Sequence, residues 1–177
     1  MNWLDYRRTT HLTFLRPAGV LSYQSIKHIR AVSPMVERTV HDTGLTYGLG
    51  PSSYDLRVRQ DVVIGPGEFR LFSTLESISL PWDVCATVQD KSTWARKGLV
   101  FQNTHVDPGF YGFLTLEASM HGSDSVRITS GTPICQIKFE WLDAPTVQPY
   151  SGRYQNQGNQ PHDAIFGSYT ANPGPKL

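Results

Sequence analysis

The strongest constraint in this chain is its punctuation. Apolar or alternating runs recur around residues 84–89, 99–103, 113–119, 125–129 and 134–141, with turn-forming residues between them. Runs of this length suit strands and fall short of a typical helix. The sequence holds 15 Gly and 12 Pro, enough to supply turns between short segments. Several short strands joined by turns predict a sandwich or a barrel. At 177 residues the chain is within reach of a single core, so one mainly β domain is expected.

Other segments refine this outline. In "LSYQSIKHIRAV" the residues Ile26, Ile29 and Val32 follow near-helical spacing after Ser22, a candidate N-cap, and predict one short helix. In "YDLRVRQDVVIGPGEFRLFSTLESISL" the alternation breaks at "GPG", which predicts a hairpin. Residues 1–20 show no clear period and are expected to form an N-terminal arm, with 21–145 as the β domain and 146–177 as a C-terminal tail. The tail is rich in Gln, Asn, Gly and Pro and poor in aliphatics, a composition that suits disorder. Its Arg153, Tyr154 and Gln157 equally suit a lid that orders over a ligand, since they offer a cation, a ring and an amide.

Lys and Arg number 16 against 15 Asp and Glu, a net charge of +1. No global field then draws the chain to a nucleic acid polymer or an anionic membrane, and any anion site must be local. No apolar run is long enough to span a membrane, and the first twenty residues lack the apolar core of a signal peptide. These features predict a cytoplasmic protein, with Cys85 and Cys135 as buried free thiols rather than a disulfide.

The chemistry gathers in "KSTWARKGLVFQNTHVDPGFYGFLTLE", residues 91–117. Lys91 and Arg96 bring positive charge, and Ser92 and Thr93 bring short donors, a set that fits phosphate oxygens. The same residues also read as a helix cap beside solvated charges. "DPG" signals a turn that sets Asp107 and Phe110 at one bend, either a carboxylate and a ring for a sugar or a plain turn with a core Phe. In "FLTLEAS" a strand points Leu114, Leu116 and Ala118 one way and Phe113, Thr115, Glu117 and Ser119 the other. Glu117 thus sits mid-strand, where carboxylates are depleted, either on a solvated face or in a cleft suited to moving protons.

In order and spacing these motifs resemble the dCTP deaminases of the trimeric dUTPase-like superfamily. The likeness runs from "TYGLGPSSYDLRV" through "STLESISLPWDVCATVQDKSTWARKGLV" and "NTHVDPGFYGFLTLE" to "GTPICQIKF" and "PYSGRYQNQG". It implies a distorted β-barrel or jelly-roll of the dUTPase-like type with one or two short helices, assembled as a homotrimer with active sites between subunits. It implies that Lys91, Ser92, Thr93 and Arg96 cradle a triphosphate, that Asp107 binds the deoxyribose 3'-hydroxyl, and that Phe110 lies under the sugar. Thr115, Leu116 and Glu117 match the strand beside the pyrimidine. Tyr150, Arg153, Tyr154 and Gln157 match the segment that closes over the nucleotide. Backbone groups of Thr104 and His105 match the border of the base. The chain departs from the family in reading "GRY" where a lysine is usual, and in a shorter "FQNTHVD" loop than many dCTP deaminases carry.

The activity so implied is hydrolytic deamination of dCTP to dUTP, or onward to dUMP, with Glu117 as the proton carrier and Ser92 and Arg96 supporting the adduct. Zinc deaminases carry a His or Cys beside a P-C-x-x-C pair. This sequence has no such pair, so zinc-independent chemistry is expected, with Mg²⁺ arriving on the substrate phosphates. One rival is a dUTPase or a bifunctional enzyme, because Asp107 matches the position that orients the hydrolytic water of dUTPases. Another is a nucleotide-binding regulator without turnover, against which an intact Glu117 argues.

Overall fold

In the computed structural model, which describes residues 18–167, the elements in chain order are β1 (Gly19–Val20), α1 (Tyr23–Ile29), β2 (Val32–Ser33), β3 (Thr39–Val40), β4 (Thr46–Leu49), β5 (Tyr54–Arg57), β6 (Val62–Ile64) and β7 (Phe69–Ser79), followed by β8 (Val84–Asp90), α2 (Ser92–Ala95), β9 (Leu99–Phe101), β10 (His105–Val106), β11 (Tyr111–Met120), β12 (Val126–Ile128) and β13 (Pro133–Trp141). The fold is mainly β, and all five runs read from the sequence are strands. The predicted helix is α1, with Ile26 its buried residue, but it stops short of Val32, which stands in β2, because Arg30 ends it in the left-handed conformation. Ser22 does occupy the N-cap position, but its hydroxyl meets Ser25 Oγ at 3.3 Å and caps no backbone N–H.

One sheet runs β10-β8-β13-β5-β4-β3, with β1 also paired to β13; a second runs β2-β7-β11-β9; a third pairs β12 with β6. Every strand pairing is antiparallel. The predicted hairpin at "GPG" does not form. β6 leaves to pair with β12 and β7 pairs with β11, so Gly65–Gly67 turns the chain from one sheet into another. The break in alternation marks the turn correctly, but a turn does not specify that its two flanking strands pair. Of the predicted arm, residues 1–17 lie outside the described residues, and Gly19 and Val20 pair with Trp141 and Glu140.

The sheets share one core. Leu56, Val84, Val88, Ile137 and Phe139 come from the first sheet, and Phe72, Ile78, Leu114, Leu116 and Ala118 from the second. Tyr54 is buried among them, its hydroxyl donating to Pro34 O and accepting from Val36 N, both at 3.2 Å. Burial pushes its phenol up to about 12. Glu76 is also fully buried, and Arg57 holds it with Nε at 2.6 Å and the backbone N–H at 3.0 Å. Removal from water still dominates and raises the Glu76 carboxyl above the ordinary range. Both cysteines are free; Cys135 is fully buried and Cys85 partly so. No helix among the described residues is long and apolar enough to cross a membrane.

Candidate active site

The alternation of β11 decides what its side chains can reach. Leu114, Leu116 and Ala118 enter the core, while Phe113, Thr115 and Glu117 on the other face remain partly exposed. Opposite them in β7, Thr115 pairs with Ser73 and Glu117 with Leu71. A cavity of about 410 Å³ opens over this face. β11 supplies Thr115 and Glu117 to it, β7 supplies Phe69 and Leu71, and the 104–107 segment borders it.

The turn before β11 is built by sequence. Phe110 N donates to Asp107 O at 3.1 Å, and Gly109 has φ 84°, so Pro108 and Gly109 take the central places of a type II turn. A Cβ on Gly109 would stand 2.6 Å from Pro149 Cβ, so glycine also allows the tail to approach. The turn leaves Asp107 exposed at the cavity rim, where His105 Nε2 lies 3.4 Å from its Oδ1. It buries Phe110 to 7% exposure against Tyr150, with ring centroids 5.9 Å apart.

The tail, for which composition alone left two readings, folds back over this cavity. Tyr150 N donates to Pro108 O and Asn156 N to Tyr111 O, each at 2.8 Å. Gln157 bridges Gly112 in parallel register, its carbonyl accepting from Phe113 N at 3.0 Å. Its amide Nε2 donates to Thr115 Oγ1, which also accepts from His162 N at 3.0 Å. The contacts are polar, which explains why a segment poor in aliphatics is ordered at all. They also bring His162, Asp163 and Ala164 to the cavity, residues that no pattern in the sequence singles out.

Asp107, Phe110, Thr115, Glu117, Tyr150, Tyr154 and Gln157 all line the one cavity. Leu116 lies in the same strand with its side chain in the core, so only its backbone faces the pairing edge. Arg153 is exposed outside the lining and donates from Nη2 to Gly167 O at 2.6 Å. The phosphate set stands apart. Lys91, Ser92, Thr93 and Arg96 do not line this cavity, and no Lys or Arg among the described residues does. Lys91 Nζ is 2.6 Å from Asp55 Oδ2, with both side chains only 12% exposed, so its charge is already matched within the chain. Ser92 and Thr93 on α2 and Arg96 at its C-cap are exposed, and Trp94 pins the helix to the body by donating to Pro133 O at 2.7 Å.

Glu117 is held by a residue for which the sequence signalled only a backbone part. Thr104 Oγ1 lies 3.1 Å from Glu117 Oε2, and the loop carrying it is tied to β11 by Gln102 N donating to Glu117 O at 2.9 Å. The arrangement is an apolar and aromatic chamber with carboxylates at three points of its wall, Asp107, Glu117 and Asp163, of which Glu117 has a hydroxyl partner. That suits a flat polar ring above Glu117 and a hydroxylated moiety near Asp107.

Comparison with known proteins gives a consistent picture. The family model described as dCTP deaminase-like matches residues 54–142. The chain is 33% identical over 164 residues to the dCTP deaminase of Aeropyrum pernix, covering 78% of this chain and 92% of that one. It is 34% identical over 128 residues to the "dCTP deaminase, dUMP-forming" of Methanosphaera stadtmanae, covering 71% of this chain and spanning 60% of that relative's length. Among solved structures, the 2'-deoxycytidine 5'-triphosphate deaminase from Agrobacterium tumefaciens aligns with a TM-score of 0.59 at 19% identity, over 71% of this chain and 49% of that one. At that identity the likeness speaks for the fold.

Proposed function

Because this chain belongs to the dCTP deaminase-like family, we propose that it replaces the 4-amino group of dCTP by oxygen with water, releasing ammonia and giving dUTP, or dUMP if the triphosphate is then cleaved. The observation that carries this reading is Glu117, a strand carboxylate turned into the same chamber as Phe110 and Asp107.

The chemistry needs one group that takes and returns protons. Water oxygen bonds to C4 of the cytosine while Glu117 accepts a water proton and delivers it to N3. The adduct then holds a hydroxyl and an amino group on C4. Glu117 takes the hydroxyl proton and passes it to the amino nitrogen, the C–N bond breaks, and ammonia leaves a C4 carbonyl. Glu117 ends ionised, as it began, so a single carboxylate serves both halves. Leu116 backbone and the loop at Thr104 and His105 border the base, Asp107 accepts from the 3'-hydroxyl, and Phe110 fills the space a 2'-hydroxyl would need. Tyr150, Tyr154 and Gln157 cover the nucleotide, and Arg153 adds charge at the edge of that cover.

Among the described residues the chamber lining carries no Lys or Arg, yet a triphosphate requires several charge-assisted bonds. A homotrimer meets that need by bringing α2 of a neighbouring subunit and its C-cap Arg96 to the phosphate end, where the exposed Arg96, Ser92 and Thr93 bind oxygens and Lys91 holds the helix start through Asp55. Ser92 and Arg96 then also support the adduct. Mg²⁺ is part of the substrate, carried on its phosphates.

Asp107 favours a second, added activity. It is an exposed carboxylate at the rim of the same chamber, suited to orient a water towards the phosphates, and the Methanosphaera relative is named as dUMP-forming. Incubation with dCTP, dUTP, dCMP and CTP plus Mg²⁺, following ammonia and pyrophosphate separately, tests both readings. Ammonia from dCTP supports deamination, and pyrophosphate from dUTP supports the added hydrolysis. Tight dCTP binding with neither product points instead to a non-catalytic regulator.

A further inference from the structure

The hydroxyl of Thr104 has two acceptors within reach and one proton to give. Its Oγ1 lies 3.1 Å from Glu117 Oε2 and 3.2 Å from the carbonyl oxygen of Gln102. Backbone bonds fix where it stands. Thr104 N donates to Gln102 O at 2.8 Å, Val88 N donates to Thr104 O at 3.0 Å, and Gln102 N donates to Glu117 O at 2.9 Å. What remains free is rotation of the O–H. On the other side of the carboxyl, Glu117 Oε1 has no hydrogen-bond partner among the described residues.

We propose that Thr104 is a positioning residue that orients the Glu117 carboxyl and reserves one of its oxygens for the chemistry. By donating to Oε2, the hydroxyl leaves Oε1 as the oxygen that takes and returns protons. The bond is strong while Glu117 is charged, because charge assistance roughly doubles a hydrogen bond. When Oε1 gains a proton that advantage disappears, and the hydroxyl can turn to Gln102 O. The threonine proton stays on its own oxygen throughout. The bond to the ionised carboxylate thus returns Glu117 to one orientation after each proton transfer, with Oε1 left for the next. The other titratable groups of the chamber are His105, Asp107, Tyr150, Tyr154, His162 and Asp163, and none is hydrogen-bonded to Glu117.

This inference rests on Glu117 being the proton carrier, and the test separates the two. Thr104→Val keeps the shape and removes the hydroxyl, Thr104→Ser keeps the hydroxyl, and Glu117→Gln is measured beside them with dCTP. Valine should lower kcat about ten- to a hundredfold, the worth of one hydrogen bond to a charged group. KM should stay within about threefold, since the bond serves the chemical step. Serine should recover most of the loss. Thr104 is exposed, so folding should survive; Thr104→Ala is the second hydroxyl-free variant if valine impairs it. Unchanged kcat in the hydroxyl-free variants with an inactive Glu117→Gln overturns the Thr104 role alone. A loss confined to KM, or a serine variant as impaired as valine, overturns it too. An active Glu117→Gln removes the underlying reading and this one with it.

Discussion

Replacing Gly112 by alanine tests whether the tail is held by the strand it covers. Gly112 has φ 144°, a conformation L side chains rarely adopt, and a Cβ there would lie 2.7 Å from Gln157 N and 2.8 Å from Gln157 O. Both are backbone atoms, so no side chain can swing aside to make room. Keeping the glycine conformation would cost about 1–3 kcal/mol in strain alone. The chain escapes by lifting the tail, which sacrifices the Phe113 N to Gln157 O bond, the Gln157 to Thr115 bond and the His162 N to Thr115 bond. At about 1 kcal/mol each these sum to roughly 3 kcal/mol, near a hundredfold in the docked-to-released ratio. The Phe110–Tyr150 stack lies ahead of the clash and keeps its contact. Hydrogen exchange read by mass spectrometry should show peptides spanning 155–165 exchanging at least tenfold faster, while peptides of β13 keep their protection. Trypsin should cleave after Arg153 correspondingly sooner. Unchanged exchange in the tail would refute the reasoning, and so would equal loss of protection in β13, which would place the damage in the body.

Three further outcomes follow from the same geometry. Glu117→Gln keeps the size and the Thr104 contact but cannot cycle a proton, so dCTP binding by calorimetry should persist while turnover falls by about 10²–10⁴. Glu76 holds its proton more tightly folded than unfolded, because burial raises its carboxyl. Its contribution is therefore complete below the unfolded-state carboxyl range and is lost as pH climbs towards the raised folded value, so the stability difference between wild type and Glu76→Gln in urea melts should shrink over that interval. Burial pushes the Cys135 thiol well up and removes it from solvent, whereas Cys85 is partly exposed. A thiol reagent at pH 8 should label Cys85 in the native protein, and Cys135 only after unfolding.

Local pattern made the strands legible. In β11 the alternation of Leu114, Leu116 and Ala118 with Thr115 and Glu117 is a period-2 signal that survives in any sheet, and the Asp107-Pro108-Gly109 turn is fixed by a ring and a missing side chain. The family resemblance marks Asp107, Phe110, Glu117, Tyr150 and Gln157 in separate segments, and all of them reach one cavity. The Lys91 to Asp55 pair was not legible, because a lysine beside Ser-Thr reads the same whether its charge is free or matched by a residue 36 positions away. Nor was the side-chain part of Thr104, whose partner lies 13 positions on and across a loop.

The sequence by itself determined the five strand runs between residues 84 and 141, the turn at Asp107–Gly109, and which face of β11 carries the carboxylate, because these depend on backbone preferences and burial alternation among near neighbours. Tertiary structure alone decided that β6 pairs with β12 rather than with β7, that the Gln-rich tail docks on Gly112 and Thr115, and that Lys91 is paired while Arg96 is exposed. Those outcomes are set by contacts between residues far apart in the chain. Each hydrogen bond or ion pair there forms only when a shared core has brought its two ends together, and no local signal records which distant partner will arrive.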